Sequence, residues 1–184
     1  LESGLKEEEL PDLVSQWRAA CPRIKDFWWR VHREVLNAIR YGTVRTVGQL
    51  VFSYDGGLLK IRLPSGRNLI YLQPAITASP SGFTEISYQA ADKGELKTFS
   101  TYGPKLVENI VQGTARDLLA DTLVRLDREN NYQVVMHTHD EVITEAPLSV
   151  TAESLCNLMA QGPLWAEGLP LSADGFASQY YCKA

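Results

Sequence analysis

The sequence predicts an α+β fold, and three observations carry that expectation. Apolar residues recur at three- or four-residue intervals over residues 23–41 and again over 105–128, the signature of amphipathic helices. Asp55-Gly56-Gly57 sits between two apolar runs, a strong hairpin signal. Residues 132–145 carry the β-branched Val134, Val135, Val142 and Ile143 on either side of the polar run His139-Asp140-Glu141, which reads as two short strands around a tight turn.

In chain order, residues 5–20 read as a short helix, with Pro11 marking its start or a kink. Pro22 separates it from the second helix, whose apolar face is Ile24, Phe27, Trp28, Val31, Val35 and Ile39. Trp28-Trp29 admits two readings, a platform for stacking bases or core packing, and packing is preferred for Trp28. Gly42 ends the helix. Residues 43–73 read as β structure with turns at 55–57 and 64–66, and residues 77–99 as a polar connector holding a short strand at 85–89. The helix over 105–128 buries Leu106, Ile110, Thr114, Leu118 and Leu126. After the hairpin come a helix over 149–161 with Leu155, Leu158 and Met159 inward, a final strand over 169–176, and a surface tail over 179–184.

The opposite face of the long helix is more informative than its buried one. Lys105, Asn109, Gln112 and Arg116 fall on one narrow stripe. That stripe has donors throughout and no carboxylate. Solvated helix faces usually mix charges, whereas donors match the acceptors that every base pair presents in the minor groove. At the hairpin, Asp140 and Glu141 are adjacent carboxylates, and a divalent cation or a cationic partner would relieve their repulsion. An ordinary solvated turn explains the same three residues.

Composition sets bounds. At 184 residues, 45% hydrophobic and 22% charged, the chain has material for a substantial core. No apolar run approaches the ~20 residues of a membrane span. The polar, acidic start Leu1-Glu-Ser-Gly, without an initiator Met, predicts no signal peptide and suits an excised or processed fragment. Cys21, Cys156 and Cys182 are odd in number and widely spaced, which predicts reduced thiols in a cytoplasmic setting. The net charge of -4 is not that of an autonomous nucleic-acid-binding domain. Arg40, Arg45, Lys60, Arg62 and Arg67 nevertheless form a local basic excess with only Asp55 against them.

Two segments carry a family resemblance. Val107 to Ala120, with Gln-Gly-Thr-Ala-x-Asp at its centre, and Val135 to Glu141, apolar residues followed by His-Asp-Glu, resemble in order and spacing the long palm helix and motif C of the family A DNA polymerases. These are the DNA polymerase I family, and the likeness is greatest to phage-type members. Leu63-Pro-Ser-Gly-Arg67 resembles the family's Gly-Arg strand pair beside the DNA, in its phage form. The chain shows neither motif A, with the other catalytic aspartate, nor the nucleotide-binding fingers helix. The resemblance therefore implies a C-terminal portion: a helical segment from the fingers over residues 1–41, and a palm-derived α+β domain over 42–184, the two expected to fold as one unit.

From the resemblance follow roles for single residues. Asp140 would ligate both Mg²⁺ ions of the complete enzyme, with Glu141 a less direct carboxylate, and His139 would contact the primer terminus. Gln112 would contact the minor groove near that terminus. The family's asparagine lies four residues before this glutamine, where the chain has Glu108, with Asn109 one residue on; Lys105 lies near the position of a bacterial-type arginine. Arg67 would reach a phosphate, unless it is an ordinary surface arginine beside a turn. The partners implied are primer-template DNA, deoxynucleoside triphosphates and the remainder of the polymerase, in the cytoplasm of a bacterial or phage-infected cell. Without the motif A aspartate, Mg²⁺ binding would be weak and the isolated chain inactive. Its open hairpin edge would favour a homodimer. Two alternatives stand beside this reading: a non-catalytic DNA-binding remnant of a polymerase, and a metal-dependent hydrolase using His137, His139 and Asp140.

Overall fold

A computed structural model describes residues 6–182. The fold is mixed α+β, and its packing divides the chain into two compact units. One comprises the residues up to Leu63 together with Asn68–Ile110, and the other Pro64–Arg67 together with the residues from Val111 on.

The first unit opens with helix α1, Leu10–Ala20, and helix α2, Pro22–Tyr41. Each begins with a proline in its first turn, where the missing N–H removes a donor that would have had no acceptor. A 3₁₀ turn at Glu7–Glu9 precedes α1, so that helix starts later than the expected residue 5, which lies outside the described residues. Gly42 stops α2 in the left-handed conformation, φ 62°, and donates its N–H to the Ala38 carbonyl at 3.0 Å.

Six antiparallel strands follow as a meander in sequence order: β1 Arg45–Val47, β2 Leu50–Asp55, β3 Leu58–Arg62, β4 Asn68–Ala78, β5 Thr84–Asp92 and β6 Glu95–Thr101. Gly56 and Gly57 make the β2–β3 turn, both with positive φ. The register between β4 and β5 shifts between Leu72 and Ala75. Pro74 explains the break, because it brings no N–H to the ladder, and Gln73 turns its own N–H to the Gly57 carbonyl at 2.7 Å.

One face of the sheet is buried by α2. Val31, Val35 and Ala38 pack with Phe52, Leu59, Ile61, Leu63, Tyr71 and Ile86, and Leu106, Val107 and Ile110 complete the core. Trp28 lies partly buried against this cluster and stacks on Trp17, ring centroids 5.6 Å apart. Gly103 meets α2 closely: a Cβ there would lie 2.5 Å from the Trp28 carbonyl oxygen. Tyr41 to Gly42 is a border between secondary structures. The compact units divide elsewhere, because α2 packs on β1 and β2.

Helix α3, Gly103–Arg128, runs from the first unit into the second. In the second unit β7, Gln133–Thr138, pairs with β8, Glu141–Glu145, and helix α4, Ala152–Met159, follows. Thr151 caps α4, its hydroxyl accepting from the Ser154 N–H at 3.1 Å. Arg125 closes the other end by donating to the carbonyls of Leu158 and Gln161, at 3.2 and 2.5 Å.

Two sequence expectations are corrected. Residues 77–99 are not a connector but the end of β4, all of β5 and most of β6, and the expected short strand at 85–89 is the middle of β5; Gly82 and Lys93-Gly94, all with positive φ, are hairpin turns within a sheet. Residues 169–176 form no strand. Pro170 lacks a donor, and among the described residues β7 and β8 pair only with each other. Of the expected surface tail, residues 179–181 are exposed and Cys182 half-buried; residues 183–184, like the Leu1-Glu-Ser-Gly start, lie outside the described residues.

Candidate active site

The hairpin closes on its last pair, Thr138 opposite Glu141, leaving His139 and Asp140 as a two-residue turn. His139 sits at φ 49°. That region favours glycine, though His tolerates it better than most residues. Glu141 is the first residue of β8, half-buried, while Asp140 is exposed at the tip. A bulge at Val135 shifts the register between Val134 and Met136 and leaves Val135 and Met136 49% and 44% exposed. Tyr132 anchors the base of β7, its hydroxyl 3.0 Å from that of Ser154 in α4.

Asp140, Glu141, His139, Gln112, Arg116 and Arg67 all belong to the second unit, whereas Lys105 and Asn109 belong to the first. Gln112 and Arg116 are exposed, as is Lys105. Asn109 is half-buried and donates its side-chain N–H to the Tyr71 hydroxyl at 2.9 Å. Burial pushes the Tyr71 phenol up, and the Asn109 hydrogen bond opposes that shift. Asn109 thus spends one donor inside its own unit, and its second N–H and its carbonyl remain.

Arg67 has a partner that the sequence reading missed. Its Nε donates to Asp117 Oδ1 at 2.5 Å, and its Nη2 to the Gly113 carbonyl at 2.8 Å. Ser65 donates to the other Asp117 oxygen at 2.5 Å. The Asp117 side chain is only 10% exposed. Gly66, at φ 91°, bends the turn so that Ser65 and Arg67 reach the same carboxylate. Both halves of this clamp lie in the segments that carried the resemblance. The opposite charges were the available signal, but they stand fifty residues apart.

The hydrolase set does not assemble. Two histidines at i and i+2 share a face only along a continuous strand. Here β7 ends at Thr138, and His139 lies in the turn beyond it with positive φ. Among the described residues, no three His, Cys, Asp or Glu side chains converge as a metal site. The two tip carboxylates are hard oxygen donors of the type Mg²⁺ prefers. They are a partial set, so a cation held firmly here needs a further ligand.

No helix among the described residues is long and apolar enough to cross a membrane. No family model matches the chain, and no solved structure matches it. The chain is similar to a protein described as a DNA polymerase, from Bacillus phage SP02, at 42% identity over 187 aligned residues. The match covers the whole of this chain but 29% of that relative, so the chain spans less than a third of the polymerase it resembles.

Proposed function

We propose that this chain is the palm-bearing C-terminal portion of a family A, template-directed DNA polymerase, which extends a primer 3′-hydroxyl with deoxynucleotides. The observation that carries the reading is the 42% identity along the entire chain to the phage DNA polymerase. The placement of His139-Asp140-Glu141 at a tight hairpin tip accords with it.

In this reading the tip presents Asp140 as the principal cation ligand and Glu141 as its less direct neighbour. Mg²⁺ held by these two carboxylates would supply acidification of the attacking hydroxyl and neutralisation of charge on the departing pyrophosphate. The third carboxylate comes from outside these residues, so the chain by itself is inactive. His139 holds the primer terminus from the turn. Gln112, exposed on α3, donates to minor-groove acceptors, which makes its contact tolerant of sequence. The Arg67–Asp117 clamp fixes the Pro64–Arg67 turn against α3 and leaves Arg67 Nη1 for a phosphate. The remainder of the polymerase covers the open β7 edge.

The test is Asp140→Asn and Glu141→Gln in an enzyme that contains the missing portion. Asp140→Asn keeps shape but removes charge. It should abolish nucleotide incorporation by about a thousandfold or more while primer-template affinity holds, because carboxylate-bound metal supplies several kcal/mol to the transition state. Glu141→Gln should cost less. Full activity of Asp140→Asn would reject the assignment, and equal losses would reject the ranking of the two carboxylates.

A further inference from the structure

Helix α2 has two contrasting sides. Val31, Val35 and Ala38 enter the core, while Trp29 remains 38% exposed. Trp29 does not stand alone. Its ring meets Phe83, from the β4–β5 turn, at 5.7 Å between centroids and 67° between planes. Phe83 in turn meets Tyr102, at the β6–α3 junction, at 6.3 Å and 84°. Phe83 and Tyr102 are 37% and 41% exposed. Beneath them the buried His32 stacks on Phe83 at 5.5 Å and 22°, and meets the Trp29 ring edge-on at 5.9 Å. Three distant stretches of chain thus build one half-open aromatic patch, all within the first unit.

On α2 exposed cations outnumber the carboxylates, Asp26 and Glu34. Lys25 and Arg33 lie one turn before and one turn after Trp29, on its side of the helix, and both are exposed. Arg33 also pairs with Glu34 at 3.0 Å. Arg23, Arg30 and Arg40 are exposed on the same helix. From Arg23 to Arg62 there are eight basic residues and three acidic ones, in a chain whose net charge is -4. Ring surfaces bracketed by cations are what an unpaired strand requires: bases stack on the rings and the phosphates pair with the cations. A duplex hides its base faces in its own stack, and an apolar protein surface would draw nothing from the cations.

We propose that the Trp29–Phe83–Tyr102 patch, flanked by Lys25 and Arg33, binds single-stranded nucleic acid by stacking unpaired bases. The inference goes beyond the polymerase reading and uses none of its catalytic residues, so the two fail separately.

The test is anisotropy of the intact chain with a labelled oligothymidylate of about 12 nucleotides, within the usual site size, against a duplex of equal length. The chain should prefer the single strand. Trp29→Leu should weaken that binding about tenfold or more, whereas Trp29→Tyr should retain most of it, because tyrosine still stacks. Lys25→Gln should weaken both ligands and flatten the salt dependence. Absence of single-strand binding, or equal affinity for the duplex, would overturn the proposal. A loss in Lys25→Gln with none in Trp29→Leu would do the same, since it would leave charge without stacking. If Trp29→Leu fails to fold, the wild-type preference for single strands and the behaviour of Trp29→Tyr decide.

Discussion

The two compact units bury their side chains very differently. Fourteen buried apolar residues, from Val31 to Ile110, make one continuous core in the first unit; among the described residues the second buries only Leu119 and Leu126 to the same degree. Charge divides the same way. The first unit has thirteen basic and twelve acidic residues and is close to neutral, whereas the second has five and ten, so the chain's negative charge lies in the unit with the hairpin. The second unit is held instead by polar clamps, Arg67 to Asp117, Arg125 to the end of α4, and Tyr132 to Ser154. Val124, Val135, Met136, Leu148, Leu164 and Phe176 stay exposed on it. The first unit exposes large apolar side chains too, among them Leu13, Val14, Ile70 and Leu96, so what distinguishes the second is the smallness of its core.

The largest effect that would break this comparison is a pair of truncations. Phe52 is fully buried between α2 and the sheet, and Phe52→Ala should cost about 3–5 kcal/mol from lost transfer energy and the cavity left behind. Val135 sits at the bulge, 49% exposed, and Val135→Ala should stay within about 0.5 kcal/mol. Urea unfolding measures both. Similar losses at the two positions would mean that the second unit has a core of its own.

Next in size is the clamp. Asp117→Asn keeps the shape of the side chain but removes the charge that holds Arg67 and accepts from Ser65. A charge-assisted hydrogen bond is worth about 1.5–3 kcal/mol. Arg67 is 45% exposed and recovers part of that from water, so a loss of about 1–2 kcal/mol is expected. A double-mutant cycle with Arg67→Met isolates the pair. A coupling energy near zero would show that the turn is held by packing alone.

What the sequence disclosed follows from the range of each interaction. The two long helices were legible because their apolar faces repeat locally, and Pro22 and Gly42 punctuate α2. The hairpin was legible from β-branched residues around a polar turn, and so were the tip residues His139, Asp140 and Glu141. Strand β5 was legible only in part, as the short strand over 85–89 where Ile86 and Tyr88 alternate with polar residues, and β6 was hidden because Thr, Ser, Glu and Lys occupy much of both its faces. The glycines that signalled a loop belong to tight turns. The expected strand over residues 169–176 had apolar residues but no neighbouring strand to pair with. Within the site, the helical stripe from Lys105 to Arg116 was legible as a pattern. Its division between two units was not, nor was the Asn109–Tyr71 hydrogen bond across thirty-eight residues. Long-range pairs of this kind leave no periodic trace.

The smallest effect concerns the well-packed unit and distinguishes it by pH. His32 is buried against Phe83 and Trp29, and desolvation lowers its pKa below the ordinary 6.5; the Thr84 backbone opposes the shift in part. Above pH 6.5 the imidazole is neutral in both the folded and the unfolded chain, so it contributes no pH dependence. As the pH falls below 6.5, the unfolded chain takes up a proton that the folded chain refuses. Stability contributed by the neutral, buried ring is therefore complete above 6.5 and is lost as the pH drops through the lowered folded pKa. One proton limits the slope to about 1.4 kcal/mol per pH unit. His32→Phe retains an aromatic ring in the cluster and cannot titrate. Urea unfolding between pH 7 and 5 should show a shallower decline for this variant than for the wild type. Parallel declines would place the acid sensitivity elsewhere, in the carboxylates that both proteins share, and His32 would then be a packing residue only.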